Sequence, residues 1–363
     1  MGTMLWFGLR DLLRHWKLVL PMSLVATVAI SIYLILVGYQ AGLAAQFGNL
    51  DPVFLTIQER NSFGEIYGSR LSAQVGMQLI GMGLKWVVPE IHDVVGTSIA
   101  DAVLLRGIDL EHYGQVNSYR LVAGTSLHPG DAPRQAMVGY RLAEKLRLAP
   151  GGTISLRGRD FTIRGIFSTG TYADNEAWIG LKDAQDLLGW GSDVSVYIIQ
   201  GGGSIKAGDN LPGGAVASVR GEGGQTLSSQ YKPVLEVHGA AAQAMGVVTA
   251  LTLANVLLRL ALIRRRDLAI LRTVGFQRSS LMIYLAVQAV GVSILGAALG
   301  WLITLGITSI VRLGVFGFDI RPLFDARTIL VSGLWLMVIT AAGATLPVWV
   351  INRLNLAQLL RAE

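Results

Sequence analysis

The 363-residue chain has no cysteine, which removes disulfides, thiolate metal sites and cysteine nucleophiles and leaves the redox compartment open. It is poor in charge. Asp, Glu, Lys and Arg make up 15% of it, against roughly 25% in an average globular domain. No Walker A sequence (G-x-x-x-x-G-K-[ST]) occurs, so any nucleotide-driven activity is expected to draw its energy from a partner. The five histidines, His15, His92, His112, His128 and His238, form no H-E-x-x-H and no pair at helical spacing, which argues against a metal centre. Ser126 and Ser168 lack a G-x-S-x-G frame. The glycine clusters at 201–203 and 221–224 lack the Lys-Ser/Thr ending of a phosphate loop and read as flexible loop. No catalytic residue and no metal ligand is expected.

What is abundant is apolar sequence: 52% hydrophobic residues and a mean hydropathy of +0.50. Four runs exceed the roughly 20 residues needed to cross a bilayer: 18–45, 238–263, 279–311 and 329–351. None contains Asp or Glu, the usual mark of an intramembrane proton or cation relay. Arg259 lies four to five residues before the end of the second run, close enough for its stem to reach the headgroups. The net charge of +6 is unevenly placed. Residues 47–237 hold 16 basic and 19 acidic residues, and the rest of the chain 14 basic and 5 acidic. Basic charge therefore borders the apolar runs, where topology needs it, and no nucleic-acid partner is expected. By the positive-inside rule both termini and the arginine-rich loop 264–278 are cytoplasmic, and 46–237 and 312–328 lie outside. Residues 1–17 read as an amphipathic elbow, with Leu5, Leu9, Leu12, Leu13 and Trp16 able to share a face. A signal-peptide n-region is the alternative, but the run that follows is far longer than an h-region.

The segment 46–237 is charged and punctuated by Gly and Pro, and it predicts an inserted α+β domain. Strands are expected at 53–58, 102–109 and 193–200, and a strand followed by a helix at 137–148 and 176–188. A hairpin is expected over 153–167, turning at Gly158-Arg159-Asp160. An amphipathic helix is expected over 71–88, ended by Pro89, and 201–224 reads as a mobile loop. The fold class expected is thus a four-helix membrane bundle with a large α+β extracytoplasmic domain between helices 1 and 2, and a basic tail at 352–363.

Within the apolar runs small residues recur every four positions: Gly38 and Gly42, then Gly246, Ala250 and Ala254, then Gly296 and Gly300. That spacing lets helix backbones approach closely, within a bundle or a dimer. The second run leaves the membrane through NVLLRLALIRRRDLAILRTVG, residues 255–275, a basic exit followed by a short helix with Leu268, Ile270, Leu271 and Val274 and closed by Gly275. Such a helix either lies on anionic lipid or fits a groove on a partner.

This stretch resembles the second-span exit of the MacB/FtsX-type ABC permeases, which include the lipoprotein-release permeases LolC and LolE. The pattern there is N-x8-R-x-R-E-I-G-I-x-R-A-x-G. Asn255, Arg264, Arg266, Ile270, Arg272 and Gly275 keep its register, with Asp267 in place of Glu and Ala269 in place of Gly. Residues 137–167 resemble the family's extracytoplasmic G-x-x-[LA]-A-x-x-L-x-[LV]-x-x-G-D-x-[IV] segment through Gly139, Ala143, Leu146, Gly151 and Ile154. The tail resembles its P-x-x-x-A-x-x-x-x-P-x-x-x-L-R-x-E ending more loosely, through Pro347, Leu360, Arg361 and Glu363. The resemblance implies a non-catalytic permease in the bacterial cytoplasmic membrane. Arg264, Arg266, Asp267, Leu268, Ile270, Leu271, Arg272 and Gly275 would form the helix that docks into a separate ATPase. It also implies a homodimer or a pair of similar permeases binding two ATPase subunits, which carry ATP and Mg, and room for a periplasmic adaptor. An amphipathic or hydrophobic cargo is implied, moved by mechanotransmission. An FtsX-like signalling role, in which the outer domain activates a cell-wall hydrolase, is the alternative.

Overall fold

The structure is a computed structural model. It describes residues 6, 8, 10, 12–14, 16–48, 50–62, 64–84, 86–98, 100, 102–201, 203–222, 232–263, 270–271, 273–311, 313–315, 318–327, 329–335, 337–338 and 341–342. The chain divides into two compact units. One comprises Met1–Ala41, Val234–Val311 and Arg321–Glu363, and the other Gly42–Pro233 with Arg312–Ile320.

The helical unit is built from helix α1 (Trp16–Phe47), which begins before the first span, and the later helices α6 (Lys232–Ile263) and α7 (Arg278–Ile310). Helical residues at 329–335, 337–338 and 341–342 follow. The stretches Thr27–Phe47 and Ala286–Ile310 are long and apolar enough to cross a membrane. Their outer faces stay exposed, as at Val28, Ile32, Ile294 and Leu302. Lipid, not water, suits such a surface. Ile30, Tyr33, Leu34, Ala242 and Val292 form the buried centre, with Leu12 and Ala250 packed on it. Of the expected elbow face, Leu12 is thus packed, whereas Leu13 and Trp16 are exposed and Leu5 and Leu9 lie outside the described residues.

Three polar side chains of α1 bond within the helical unit. Ser23, Thr27 and Ser31, four residues apart on α1, donate to carbonyls three or four residues back. Ser31 lies within hydrogen-bonding reach of the Gly300 carbonyl as well, at 3.2 Å.

The other unit is a mixed ten-stranded sheet. In chain order its elements are β1 (Asp51–Glu59), α2 (Ala73–Gly81), β2 (Val87–Val95), β3 (Val103–Ile108), α3 (Tyr113–Val116), β4 (Arg120–Gly124), β5 (Gln135–Gly139), α4 (Tyr140–Leu146), β6 (Thr153–Leu156), β7 (Arg159–Ser168), β8 (Glu176–Gly180), α5 (Leu181–Leu188), β9 (Val196–Gln200) and β10 (Ala215–Arg220). A 3-10 turn, Tyr172–Asn175, precedes β8. The strands lie in the order β10-β1-β9-β2-β3-β8-β5-β7-β4, with β6 paired to β7. The pairs β3–β8 and β5–β7 are parallel. One face packs against α2 and α5 through Leu79, Ile91, Leu105, Ile179, Ala184 and Leu187. Trp178, Phe167, Met137 and Tyr113 form a second cluster. Period-2 alternation puts these on the opposite face from their sequence neighbours.

Several expectations for this domain are met: the strands at 53–58, 102–109 and 193–200, and both strand-to-helix segments, at 137–148 and 176–188. Three are corrected. The helix expected over 71–88 is confined to Ala73–Gly81. It stops at Met82-Gly83, where Gly83 takes the left-handed φ of +77°, and Pro89 lies inside β2 opposite Tyr197. Val87, Val88, Ile91, Val94 and Val95 outweigh the proline as a β signal. The hairpin turn lies at Arg157-Gly158, both with positive φ (47° and 77°), so Leu156 pairs with Arg159, the arrangement a two-residue turn requires. Within the expected loop 201–224, residues Ala215–Arg220 form β10, paired along β1. The alternation of AVASVR carries that strand despite the glycines around it.

Candidate functional site: a charged core and a clamped hairpin

Register builds the charged core. His92 on β2 pairs with Arg106 on β3, and Arg106 in turn with Trp178 on β8, so the three side chains form a row across the sheet. Glu90 and Glu176, two residues away on the same face, close the row. The Arg106 guanidinium grips Glu176 with two bonds, 2.8 and 3.0 Å. Its third edge donates to Glu90 at 3.3 Å and to Asn117 at 3.0 Å. Asn117 donates to Glu90 at 2.6 Å, His92 Nε2 lies 3.0 Å from Glu90, and Trp178 Nε1 donates to Glu176 at 2.6 Å. From β10, Arg220 donates to Asn117 at 2.7 Å and to the Val116 carbonyl.

These groups are almost fully buried: Glu90 is 0%, Glu176 2% and Arg106 4% exposed. Burial by itself raises the Glu90 pKa. Arg106, then Arg220, and the bond from His92 overcome it and hold the carboxyl well below the usual range. Burial likewise acts to lower the Arg106 pKa, and Glu176 and Glu90 reverse the sign. Five elements are pinned by one network whose members satisfy one another.

Beside it lies a clamp. The strands β11 (Leu313–Val315) and β12 (Phe318–Ile320) pair as a hairpin that belongs to the domain unit. Asp319 supplies both backbone groups to the clamp. Its N–H donates to Asn175 Oδ1 at 2.8 Å, and its carbonyl accepts from Gln46 at 3.0 Å and from Arg141 at 3.2 Å. Asn175 donates to Gln46 Oε1 at 3.3 Å. Phe318 packs edge-on to Phe47 with centroids 5.3 Å apart, and Phe47 stacks on Tyr172 at 5.8 Å. The last turn of α1, the turn Tyr172–Asn175 and the β11–β12 hairpin therefore share one buried joint. Gly139 makes room beside it: a Cβ there would come within 2.3 Å of the Asp174 carbonyl oxygen.

The residues expected to dock an ATPase are only partly described: Arg264, Arg266, Asp267, Leu268 and Arg272 lie outside the described residues. Ile270 and Leu271 are helical, and Gly275 closes the turn at φ +102°. Ile270 and Val274 are 53% and 71% exposed. Among the small residues, Gly300 faces Ile30, whose Cγ2 would stand 2.9 Å from an added Cβ. Gly38 faces Phe324 at 2.6 Å in the same sense. Gly246 and Ala250 line a cavity with Tyr33 and Trp335, Ala254 is 7% exposed, and Gly296 is buried. The tail residues Pro347, Leu360, Arg361 and Glu363 lie outside the described residues.

The sequence reading missed both the charged core and the clamp. An arginine inside AVLLRGID and a glutamate just after Pro89 were the available signals. An ionisable group at an inward strand position implies a buried partner.

A sequence-family model for the MacB-like periplasmic core domain matches residues 19–210, more than half of the chain, and one for the FtsX-like permease C-terminal domain matches residues 240–356. The chain belongs to the MacB/FtsX-type ABC permeases. It is a non-catalytic transport component and a multi-pass membrane protein with a large extracytoplasmic domain. Solved structures similar to this permease include the extracellular domain of the noncanonic ABC-type transporter YknZ from Gram-positive bacteria. That match has 19% identity and a TM-score of 0.34, and covers 42% of this chain and 84% of the other. The periplasmic region of MacB from Actinobacillus actinomycetemcomitans gives 14%, 0.36, 54% and 89% in the same order. A permease-protein domain from Porphyromonas gingivalis gives 14%, 0.31, 43% and 80%. No curated protein sequence matches the chain.

Proposed function

We propose that this permease works as a mechanotransmitter with four spans and both termini in the cytoplasm. Two copies, each bound to an ATPase subunit carrying ATP and Mg, rock spans one and two and move the outer domain to export or extract an amphipathic substrate. The observation that carries this reading is the pair of family matches along one chain, 19–210 and 240–356. The joint described above supports it: Gln46 and Phe47, the last residues of α1, bond and stack directly with the domain's turn and hairpin. Gln46 and Phe47 themselves belong to the domain unit, so a displacement carried along the α1 backbone would enter the domain at these bonded residues. A periplasmic adaptor would bind the outer domain, and lipid the exposed faces of α1 and α7.

The decisive experiment is co-purification of the permease with its ATPase, followed by ATPase assays against lipids, lipoproteins, haem and amphipathic drugs. Stimulation by one cargo class supports the reading and names the cargo. A nucleotide-independent function would overturn it. Activation of a cell-wall hydrolase with no cargo moved would replace transport by signalling.

A further inference from the structure

A cavity of about 270 Å³ opens beside the joint, wholly within the domain unit, and neither the charged core nor the clamp needs it. Its walls include Glu65, Arg106, Asn117 and Arg220 on the polar side and Phe47 and Tyr172 on the apolar side. Glu65 is only 4% exposed. It accepts from the Thr56 hydroxyl and from the Gly221 N–H at 2.9 Å. That is about two of the roughly four acceptor positions of a carboxylate. Among the described residues no cation lies within ion-pair distance of it. The neighbouring carboxylates Glu90 and Glu176, by contrast, are each paired with an arginine. A buried carboxylate is normally matched by positive charge, and here open space takes the place of that match.

The size and walls of the space narrow the occupant. At roughly 30 Å³ per water, 270 Å³ holds about nine waters, so it suits a small molecule of up to about that many heavy atoms and not a folded peptide or a long acyl chain. A bare divalent ion would require about six or more oxygen ligands, whereas Phe47, Tyr172 and Trp178 make one side of this wall aromatic and Arg106 and Arg220 stand on the other. A compact ammonium carried on a short organic body satisfies both sides, with its charge on Glu65 and its body against Phe47 and Tyr172.

We propose that this cavity is a binding site for a small organic primary ammonium compound, held by Glu65. Because Phe47 belongs to α1 and Tyr172 to the turn that grips the hairpin, the bound compound stiffens the joint.

The test uses the full-length permease in lipid nanodiscs, titrated with n-propylammonium and followed by calorimetry and by tryptophan fluorescence, since Trp178 lines the same cavity. Saturable millimolar binding is expected, with n-propanol, the neutral isostere, bound at least tenfold more weakly. Glu65→Gln should weaken n-propylammonium at least tenfold. Ser118 is an exposed residue of the wall, so Ser118→Trp should block the cavity without touching the core, and it keeps the test valid if Glu65→Gln unfolds. Absence of saturable binding overturns the proposal. So does equal affinity for n-propanol, unchanged binding in Ser118→Trp, or full competition by sodium at the same concentration.

Discussion

Asn175→Ala is the sharpest probe of the clamp. Asn175 is 1% exposed and makes three bonds: from Asp319 N–H at 2.8 Å, to Gln46 Oε1 at 3.3 Å and to the Tyr172 carbonyl at 3.1 Å. Alanine leaves the Asp319 N–H and Gln46 Oε1 short of a partner in residues that are 1% and 2% exposed. Each orphaned group costs about 1–3 kcal/mol, so hairpin docking should weaken by about 2–6 kcal/mol. The aromatic contacts of Phe318 remain, and the loss should therefore appear as local opening before global unfolding. Hydrogen–deuterium exchange on the full-length protein reads this directly. At 1.4 kcal/mol per tenfold, exchange at 318–320 should speed up by about 30-fold or more, with β3 amides unchanged. Asn175→Asp keeps the acceptor for Asp319 and should fall between the two. Unchanged exchange at 318–320 in a folded Asn175→Ala protein would refute the clamp.

Because the chain has no cysteine, Thr273→Cys gives a single reporter. A membrane-impermeant maleimide should label it only from the cytoplasmic side, and labelling from outside would reverse the proposed topology. Leu268→Asp with Leu271→Asp should abolish co-purification with the ATPase while membrane insertion persists, and an intact complex would count against docking there. Gly300→Val overpacks against Ile30 and should cost about 1–3 kcal/mol in thermal unfolding, recovered in part by Ile30→Ala; absence of that recovery would place the strain elsewhere. Glu90→Gln leaves Arg106 and Arg220 short of a counter-charge and should destabilise the domain by about 3 kcal/mol at neutral pH. The sign with pH follows from the depressed Glu90 pKa. Its contribution is complete above the unfolded value of about 4.3 and is lost as pH falls toward the folded one. The gap between wild type and variant in urea midpoint should therefore shrink below pH 4. Asp93 and Asp174, both raised by burial, act in the opposite sense but are common to both proteins.

The elements legible in the sequence were those whose pattern is local. Alternation marked 53–58 and 153–167, and the strand-to-helix switch at Gly139 and again at Gly180 was plain. Where two local signals conflicted, the louder one misled. Pro89 looked like a helix stop, and so concealed the strand that carries Glu90 and His92. Glycines around 201–224 concealed AVASVR, whose strand character depends on a partner, β1, more than 150 residues away in sequence. The charged core was legible only in part: an arginine inside the apolar run AVLLRGID signals a buried partner, but the partners lie between residues 90 and 220 and nothing local names them. The clamp was hidden more deeply still, because Asp319 contributes only its backbone N–H and carbonyl to the bonds that define it.

Buried ionic networks are a poor way to gain stability, since apolar replacements of similar volume often do as well or better. What the network in this domain does supply is stiffness along a defined row. Arg106 cannot swing without breaking its two bonds to Glu176, and Arg220 ties the edge strand β10 to the same Asn117 that holds Glu90. A domain that must transmit displacement, and not absorb it, needs strands that move together. It also needs a joint whose bonds fail last. If the network serves that end, an apolar Arg106→Met, Glu90→Leu, Glu176→Leu, Arg220→Met variant, which removes both arginines with their carboxylates, should keep or raise the unfolding temperature while losing cargo-stimulated ATPase coupling. Retention of full coupling in that folded variant would show that the charges are there for another reason.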